Sequence, residues 1–178
     1  MLILFNKPFN VLCQFTDKDE RKTLSDYIEI KNVYAAGRLD YDSEGLVVLT
    51  DDGKLQKKIS DPENKMEKSY LVQIEGIPTE TDLGKLRKGI KLKDGITKSA
   101  KVKIIDDPKV WERNPPIRER KNIPTSWLEL KIVEGKNRQV RRMTAAIGYP
   151  TLRLIRYSVG DWNIINLQPG KYKILNSP

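Results

Sequence analysis

The 178-residue sequence contains no histidine, and its only cysteine is Cys13. Without histidine the chain cannot form a Ser-His-Asp triad, a Cys-His dyad or a histidine-based zinc or iron site. A single cysteine cannot form an internal disulfide, which agrees with a reducing compartment. Any catalytic chemistry must therefore come from Asp, Glu, Lys, Arg, Tyr or Ser side chains.

Long apolar runs are also missing from the sequence. No segment approaches the roughly 18 apolar residues that a membrane span requires. The apolar stretch Met1–Phe5 is short and is followed at once by Asn6-Lys7-Pro8, so we interpret it as a first strand rather than a signal peptide. With 38% hydrophobic and 32% charged residues, the composition is typical of a globular protein with one domain, or with two lobes that share a core. These features predict a cytoplasmic protein without a membrane partner.

Basic residues exceed acidic ones, with 33 Lys and Arg against 24 Asp and Glu and a formal net charge of +9. Such a balance favours a polyanionic partner. The segment 135–157 has no acidic residue and six basic ones, Lys136, Arg138, Arg141, Arg142, Arg153 and Arg156. We interpret it as a phosphate-binding surface, and the lysines between Lys85 and Lys103 as an ordinary solvated face.

Strand and helix patterns alternate along the chain without a strict βαβ rhythm, which predicts an α+β fold with a mixed, largely antiparallel sheet flanked by helices. Helical periodicity and capping signals predict helices over residues 54–60, 79–90 and 137–147. Alternation predicts strands over 68–74, 99–105, 126–133 and 151–157, and a final hairpin over 162–175 that turns at 168–170. Residues 108–124 form a long basic connection, which favours a functional loop.

An acidic cluster over Gly37–Val47 lies between two apolar runs, 33–36 and 46–50, and is predicted to be a loop between two strands. Its spacing overlaps that of an EF-hand calcium loop, but an EF-hand requires flanking helices. A second interpretation is a solvated turn in which Asp42 or Ser43 caps backbone amides. A third makes one carboxylate a nucleophile or base, with Arg141 as a candidate cation. From the cluster alone, the missing helices argue against the calcium loop and the solvated turn is the favoured interpretation, while nothing in the spacing shows that Arg141 meets a carboxylate.

The cluster resembles the signature of the small ribosomal-type pseudouridine synthases, through Gly37-Arg-Leu-Asp40-x-Asp42-Ser-Glu-Gly-Leu46. Three further segments resemble motifs of the same family in the same order: Asn6-Lys7-Pro8, Lys68-Ser-Tyr70-Leu-Val, and Glu134-Gly-Lys-Asn-Arg138-Gln-Val-Arg141-Arg142-Met143. Residues 113–127 resemble members that act on the large ribosomal subunit and carry no S4 RNA-binding domain. The resemblance implies one catalytic domain over residues 1–178, with two lobes around a basic cleft and no S4 domain.

The family's reaction, as the resemblance implies it, isomerises a uridine: the N-glycosidic bond breaks, the uracil turns, and C5 bonds to the ribose carbon. Substrate and product are isomers, so neither a cofactor nor a metal is expected. Asp40 matches the catalytic residue of the family, which acts as a nucleophile or as a general base. Tyr70 matches the ring that packs on the flipped uracil, and Arg141 matches the arginine that pairs with the catalytic carboxylate. Arg38 matches a residue that fills the space left by the base.

The implied partner is 23S rRNA or a large-subunit precursor, bound by the protein as a monomer. The candidate RNA-binding residues are Arg38, Lys68, Lys136, Arg138, Arg142, Arg118 and Arg120. Two alternatives stay open: a catalytically silent RNA-binding or ribosome-assembly protein on the same fold, and a synthase that acts on another RNA.

Overall fold

The structure is a computed structural model, and it describes residues 1–176. The chain folds into two compact units. Unit 1 comprises Met1–Met66 and the chain from Arg156 onward, and unit 2 comprises Glu67–Ile155. The boundary falls inside one strand, Thr151–Val159, so that strand begins in unit 2 and ends in unit 1.

Unit 1 is built on two fully buried strands, β1 (Leu2–Lys7) and β3 (Glu44–Thr50), which pair antiparallel. The other elements of unit 1 are β2 (Tyr34–Ala35), α1 (Gly53–Ser60), β10 (Trp162–Asn163) and β11 (Tyr172–Leu175). Strand β2 pairs with β3, and β11 pairs with the other edge of β1. Ile3 and Phe5 pack with Val47 and Leu49 in the core of this unit. The buried β1–β3 pair is therefore the scaffold on which the loop before β3 is mounted.

Unit 2 contains an antiparallel three-stranded arrangement in which the central strand pairs on both sides. Its elements are β4 (Lys68–Glu75), α2 (Glu80–Lys88), β5 (Lys91–Leu92), β6 (Gly95–Ile96), β7 (Lys101–Ile105), β8 (Thr125–Ile132), α3 (Gln139–Ala146) and the start of β9 (Thr151–Val159). Strands β4 and β7 flank β8, and β5 pairs with β6 as a separate hairpin. Leu128 and Leu130 of β8 pack with Leu83 and Leu86 of α2 and Met143 of α3.

The predicted α+β fold with a mixed, largely antiparallel sheet and flanking helices is confirmed. The three predicted helices and the four predicted strands over 68–74, 99–105, 126–133 and 151–157 are present, with ends shifted by a few residues. Within the described part of the chain, no helix has both the length and the apolar character needed to cross a membrane.

The final hairpin predicted over residues 162–175 is wrong. Strand β10 turns back on the end of β9, with Trp162 opposite Val159, whereas β11 pairs with β1. A turn does form at Gln168, whose carbonyl accepts a hydrogen bond from the Lys171 N–H at 3.1 Å. The turn signal was therefore correct, but it returns the chain to β1, because the β1 edge offers longer apolar pairing than the two residues of β10.

Candidate functional site

Asp40 lies in the loop of residues 36–43, which connects β2 to β3 and is called the Asp40 loop below. The loop leaves β2 with the Ala36 N–H bonded to the Val48 carbonyl at 2.8 Å, and it ends with the Ser43 N–H bonded to the Asp40 carbonyl at 3.1 Å. Asp40 is half-buried and Arg38 is exposed. Strands border the loop on both sides, as predicted, and this differs from the helix-loop-helix of an EF-hand.

The buried guanidinium of Arg156 holds the start of the Asp40 loop to strand β3. Its Nε donates to the Leu46 carbonyl at 2.8 Å, its Nη2 to the Gly37 carbonyl at 3.0 Å, and its Nη1 to the Arg38 carbonyl at 3.4 Å. The Arg156 side chain is 4% exposed. Because a guanidinium presents its donors in a rigid planar fork, these bonds fix the spacing between the start of the loop and the following strand.

A second buried cation, Lys7, lies at the end of β1 and bonds to the same loop. Its Nζ donates to the carbonyls of Pro8 and Val11 at 2.8 Å each and to the Tyr41 carbonyl at 3.5 Å. Burial lowers the pKa of Lys7 to about 8, although the charges of Cys13, Glu44, Asp42 and Asp40 oppose this shift. Lys7 thus joins the turn after β1 to the loop that carries the acidic cluster.

The arginines predicted on the basic helix come together in unit 2. An open depression of about 540 Å³ is lined by Asp94, Asn137, Arg138, Arg141, Arg142 and Ala145. Arg138 precedes α3 as its N-cap residue in a left-handed conformation, with φ of 51°, rather than forming part of the helix as predicted. Val140 and Met143 on the opposite stripe are buried in the core. This amphipathic arrangement turns the arginines toward the depression.

Arg142 forms a bidentate ion pair with Asp94, in the turn between β5 and β6. Its Nη1 and Nη2 lie 2.7 and 3.1 Å from the two carboxylate oxygens, and its Nε donates to the Asn137 carbonyl at 3.0 Å. The hydrogen bonds from Arg142 lower the pKa of Asp94, and Asp94 in turn raises the pKa of Arg142. Arg142, predicted to bind RNA, is thus engaged within unit 2.

Glu134 is a buried acceptor in front of α3. Its Oε1 accepts hydrogen bonds from the Lys98 backbone N–H at 2.6 Å and from Gln139 Nε2 at 3.2 Å, and its Oε2 lies 4.0 Å from Lys136 Nζ. The Glu134 carbonyl also accepts a hydrogen bond from Lys68 Nζ at 3.4 Å. The predicted RNA-binding residues Lys68 and Lys136 therefore lie around one buried glutamate.

Tyr70 lies on β4 opposite Leu130 of β8 and belongs to the core cluster of unit 2, with 8% of its surface exposed. Arg118 and Arg120 are exposed on the connection between β7 and β8, where Arg120 lies 3.6 Å from Glu75. That connection is attached to β9 by Arg113, whose Nη1 donates to the Leu152 carbonyl at 3.1 Å. Residues 108–124 thus form a basic connection between β7 and β8 that Arg113 attaches to β9.

Two of the six basic residues of the predicted phosphate-binding surface are buried inside the protein, so that part of the prediction is wrong. Arg156 is the residue that bonds the Asp40 loop, and Arg153 donates from Nη2 to the Trp111 carbonyl at 2.8 Å with its guanidinium over the Trp111 ring. Both lie on β9, whose residues 153–156 are all buried, so that both faces of the strand are covered there. Because Arg153 and Arg156 are three residues apart, their side chains lie on opposite faces of the strand, and no alternation in the sequence marks them as inward-facing.

No group of three or more His, Cys, Asp or Glu side chains that could hold a metal ion occurs among residues 1–176. The structural roles of Arg156, Lys7 and Glu134 were not recognised from sequence. For Lys7 and Glu134 a signal existed, because each lies inside a segment that resembles a family motif.

The sequence matches the family model described as RNA pseudouridylate synthase over residues 1–146. It is 64% identical over 172 residues to ribosomal large subunit pseudouridine synthase E of Vibrio parahaemolyticus serotype O3:K6 (strain RIMD 2210633), covering 97% of this chain and 72% of that protein. The protein of the same name from Xanthomonas axonopodis pv. citri (strain 306) is 54% identical, with 95% and 90% covered.

A solved structure described as a crystal structure of pseudouridylate synthase superposes with a TM-score of 0.81 at 31% identity, covering 98% of this chain and 70% of that chain. Sequence and fold agree with the resemblance seen in the four motifs. The chain therefore belongs to the RNA pseudouridylate synthase family and is an isomerising enzyme of that family.

Proposed function

We propose that the chain converts one uridine of 23S rRNA, free or in a large-subunit precursor, into pseudouridine, with Asp40 as the catalytic residue. The large-subunit synthases to which it is 64% and 54% identical support the rRNA substrate. In the reaction the bond from ribose C1′ to N1 breaks and a bond from C1′ to C5 forms. The C5 proton leaves and N1 gains a proton, so the atoms balance without a co-reactant. We place the reaction in the cytoplasm, in a monomer with one catalytic domain.

The observation that carries the role of Asp40 is the fixed main chain of its loop. Arg156 bonds the loop at Gly37 and Arg38, and Lys7 bonds it at Tyr41. A carboxylate that attacks ribose or removes a proton must be held within a fraction of an ångström of its target. A solvated turn that merely caps backbone amides would have no need of two buried cations on its carbonyls.

Tyr70 and Arg141 are proposed to act in the same reaction. A half-apolar, half-polar ring is suited to packing on the target base, and an arginine stabilises negative charge on a carboxylate or on the departing uracil. Flipping the uridine out of its stack costs a few kcal/mol, which phosphate contacts offset. We propose that these contacts come from Arg38, Lys68, Lys136, Arg138, Arg118 and Arg120.

The test incubates the wild-type protein and Asp40→Asn with two substrates, 23S rRNA transcript and precursor particles from a strain that lacks the gene. Pseudouridine is mapped by carbodiimide-dependent stops of reverse transcription. We expect one new stop with wild type and none with Asp40→Asn on at least one substrate. Asp42→Asn is the matched control, two residues away in the same loop, and should retain the stop.

Equal stops with wild type and Asp40→Asn would exclude Asp40 as the catalytic residue. Absence of any new stop with wild type on both substrates would refute the rRNA-isomerase proposal and favour the silent RNA-binding alternative. A stop that appears only in another RNA species of the deletion strain would instead favour the synthase with a different target.

A further inference from the structure

The β5–β6 hairpin, residues 91–96, projects basic and apolar side chains into solvent. Lys91, Lys93 and, just after the hairpin, Lys98 are exposed, and Ile96 is 71% exposed. Leu92 is the exception, because it is buried in the core of unit 2. Among the described residues, Ile96 is the most exposed of the large apolar side chains, and it stands next to three exposed lysines.

The base of the hairpin is rigid. The buried Thr97 bonds twice to Ile90, through its backbone N–H to the Ile90 carbonyl at 2.9 Å and by accepting the Ile90 N–H at its Oγ1, also at 2.9 Å. The next residue, Lys98, donates its N–H to the buried Glu134 carboxylate at 2.6 Å. The hairpin therefore cannot swing freely about its base.

The tip of the hairpin is attached to α3. Asp94 accepts the bidentate bonds of Arg142, and Lys136 Nζ lies 3.8 Å from the point where a Cβ would stand on Gly95. The hairpin thus lies beside the segment that leads into α3 and forms part of the rim of the 540 Å³ depression.

The charges near the hairpin are predominantly positive. Its lysines are joined by the exposed Arg138 and by Lys136, which lies 4.0 Å from the buried Glu134. The acidic groups nearby, Asp94 and Glu134, already accept bonds from the protein. The lysines of β7 differ, because Lys101 pairs with Glu67 at 3.1 Å and Lys103 with Glu129 at 3.8 Å. Positive charge is therefore concentrated at the hairpin rather than spread evenly over the lysines of unit 2.

We propose that the hairpin of residues 91–96 is a rigid RNA-contacting arm, in which Lys91, Lys93 and Lys98 contact phosphates and Ile96 packs on a ribose or base. Arg142 is a positioning residue that holds the arm through Asp94, rather than a phosphate ligand. The inference rests on the proposed function only in taking RNA as the partner. Apolar side chains that pack against nucleotides beside phosphate-binding lysines are a known mode of recognition.

The first test measures binding of the 23S rRNA transcript at several salt concentrations, which needs no catalysis. The variant Lys91→Gln/Lys93→Gln should bind several-fold more weakly, with the slope of log K against log salt reduced by roughly 1 to 2. The matched control, Lys101→Gln/Lys103→Gln, removes the same charge from β7 and should leave affinity and slope close to wild type. Equal losses of RNA affinity in both double variants, or no loss in Lys91→Gln/Lys93→Gln, would overturn the proposal that the hairpin contacts RNA.

Ile96→Ser separates apolar packing from charge, and it should weaken binding while leaving the salt slope unchanged. An unchanged affinity would remove Ile96 from the contact. RNA binding and pseudouridine formation are measured separately, so failure of the RNA-contacting arm can be told apart from failure of the isomerase proposal. If the wild-type protein forms no pseudouridine but Lys91→Gln/Lys93→Gln binds RNA more weakly than wild type, only the isomerase proposal is refuted.

The role of Arg142 is tested by substituting its partner Asp94 and asking whether RNA affinity rises or falls. Asp94→Asn removes one negative charge from a basic surface, so simple electrostatics predicts tighter RNA binding, whereas loss of the positioning pair predicts weaker binding. We expect weaker binding, and recovery in the swapped variant Asp94→Arg/Arg142→Asp, with circular dichroism confirming that both are folded. Tighter binding of Asp94→Asn, or no recovery on swapping, would show that Arg142 is not a positioning residue.

Discussion

Arg156 illustrates how a buried cation can serve geometry rather than charge pairing. A buried charge usually requires an opposite charge, because desolvation costs several kcal/mol. The hydrogen bonds of Arg156 go instead to three main-chain carbonyls, at Gly37, Arg38 and Leu46. Partial charges on carbonyl oxygens offset part of the cost, and the gain is a fixed separation between two segments that flank Asp40.

We expect Arg156→Lys to keep the fold and lower kcat. An ammonium group keeps the charge but cannot span carbonyls on two segments as the guanidinium fork does. Because displacements of about 1 Å can cost about a hundredfold in rate, we expect kcat to fall on the order of tenfold or more with KM for RNA little changed. Multiple-turnover kinetics at several concentrations of the rRNA transcript would measure both constants.

Arg153→Lys is the matched control for this prediction. Arg153 is also buried on β9, but its described bond goes to the Trp111 carbonyl in unit 2. The Arg153→Lys substitution should lower the free energy of unfolding without a comparable loss of kcat. If both variants lost kcat equally, the effect would reflect general disruption of β9 and not the Asp40 loop.

At the scale of the element, β3 contains one position, Gly45, at which the main chain of β9 lies too close to leave room for a side chain. A Cβ on Gly45 would stand 2.8 Å from the Arg156 main-chain nitrogen and collide with the Arg156 carbonyl oxygen, and Gly45 has a φ of +109°. Residues other than glycine rarely adopt this conformation, and the clash is with main chain, which cannot rotate away. The glycine that closes the acidic signature is thus required by packing.

We expect Gly45→Ala to lower the free energy of unfolding by about 3 kcal/mol or more, through strain and the main-chain clash. Gly53→Ala, at the start of α1, is the control, because a Cβ there meets nothing within 4 Å. In a helix this change should be neutral or stabilising by up to about 1 kcal/mol. Urea unfolding of both variants measures the difference, and similar midpoints would contradict the role assigned to Gly45.

Sequence signals identified elements whose cause is local. The capping box of Thr79 and Asp82 and the final Gly89 predicted α2, and the structure shows both reciprocal bonds and the glycine at its end. The pairing of β11 was mispredicted, because a turn signal does not determine which strand edge the chain joins. Helix α3 begins one residue after Arg138, because that residue adopts a left-handed conformation that no periodicity reveals.

Residues of the candidate site could be predicted only where they lie in a segment that resembles a family motif. Resemblance identified the family, and the comparisons confirm it. The partners of the charged side chains were not predictable, because Arg142 and Asp94 are 48 residues apart and Arg156 and Gly37 are 119 residues apart. Long-range ion pairs and hydrogen bonds follow from topology, and charge counting along a segment cannot separate an inward arginine from a solvated one.

At the scale of the whole molecule, the absence of histidine removes the side chain that most often titrates near neutral pH. Lys7 is the described lysine with a pKa lowered to about 8. A lysine with a lowered pKa in the folded state loses its proton before the same lysine in the unfolded chain. Between about pH 8 and 10.5 the unfolded state therefore binds more protons, and stability contributed by Lys7 rises with pH.

We expect the free energy of unfolding of wild type, compared with Lys7→Met, to rise by about 2 kcal/mol between about pH 7 and pH 9.5, because burial penalises the charged form that dominates below about pH 8. Urea unfolding at the two pH values measures this difference between the two proteins, so titration of groups that do not interact with Lys7 cancels. Lys103→Met is the control, because Lys103 is mostly exposed, and its pH dependence should follow that of wild type. A wild-type curve parallel to that of Lys7→Met would mean that Lys7 keeps an ordinary lysine pKa in the folded protein. The carbonyls of Pro8, Val11 and Tyr41 would then solvate its charge as well as water does, and the Asp40 loop would be held by an ammonium at every pH at which the protein is folded.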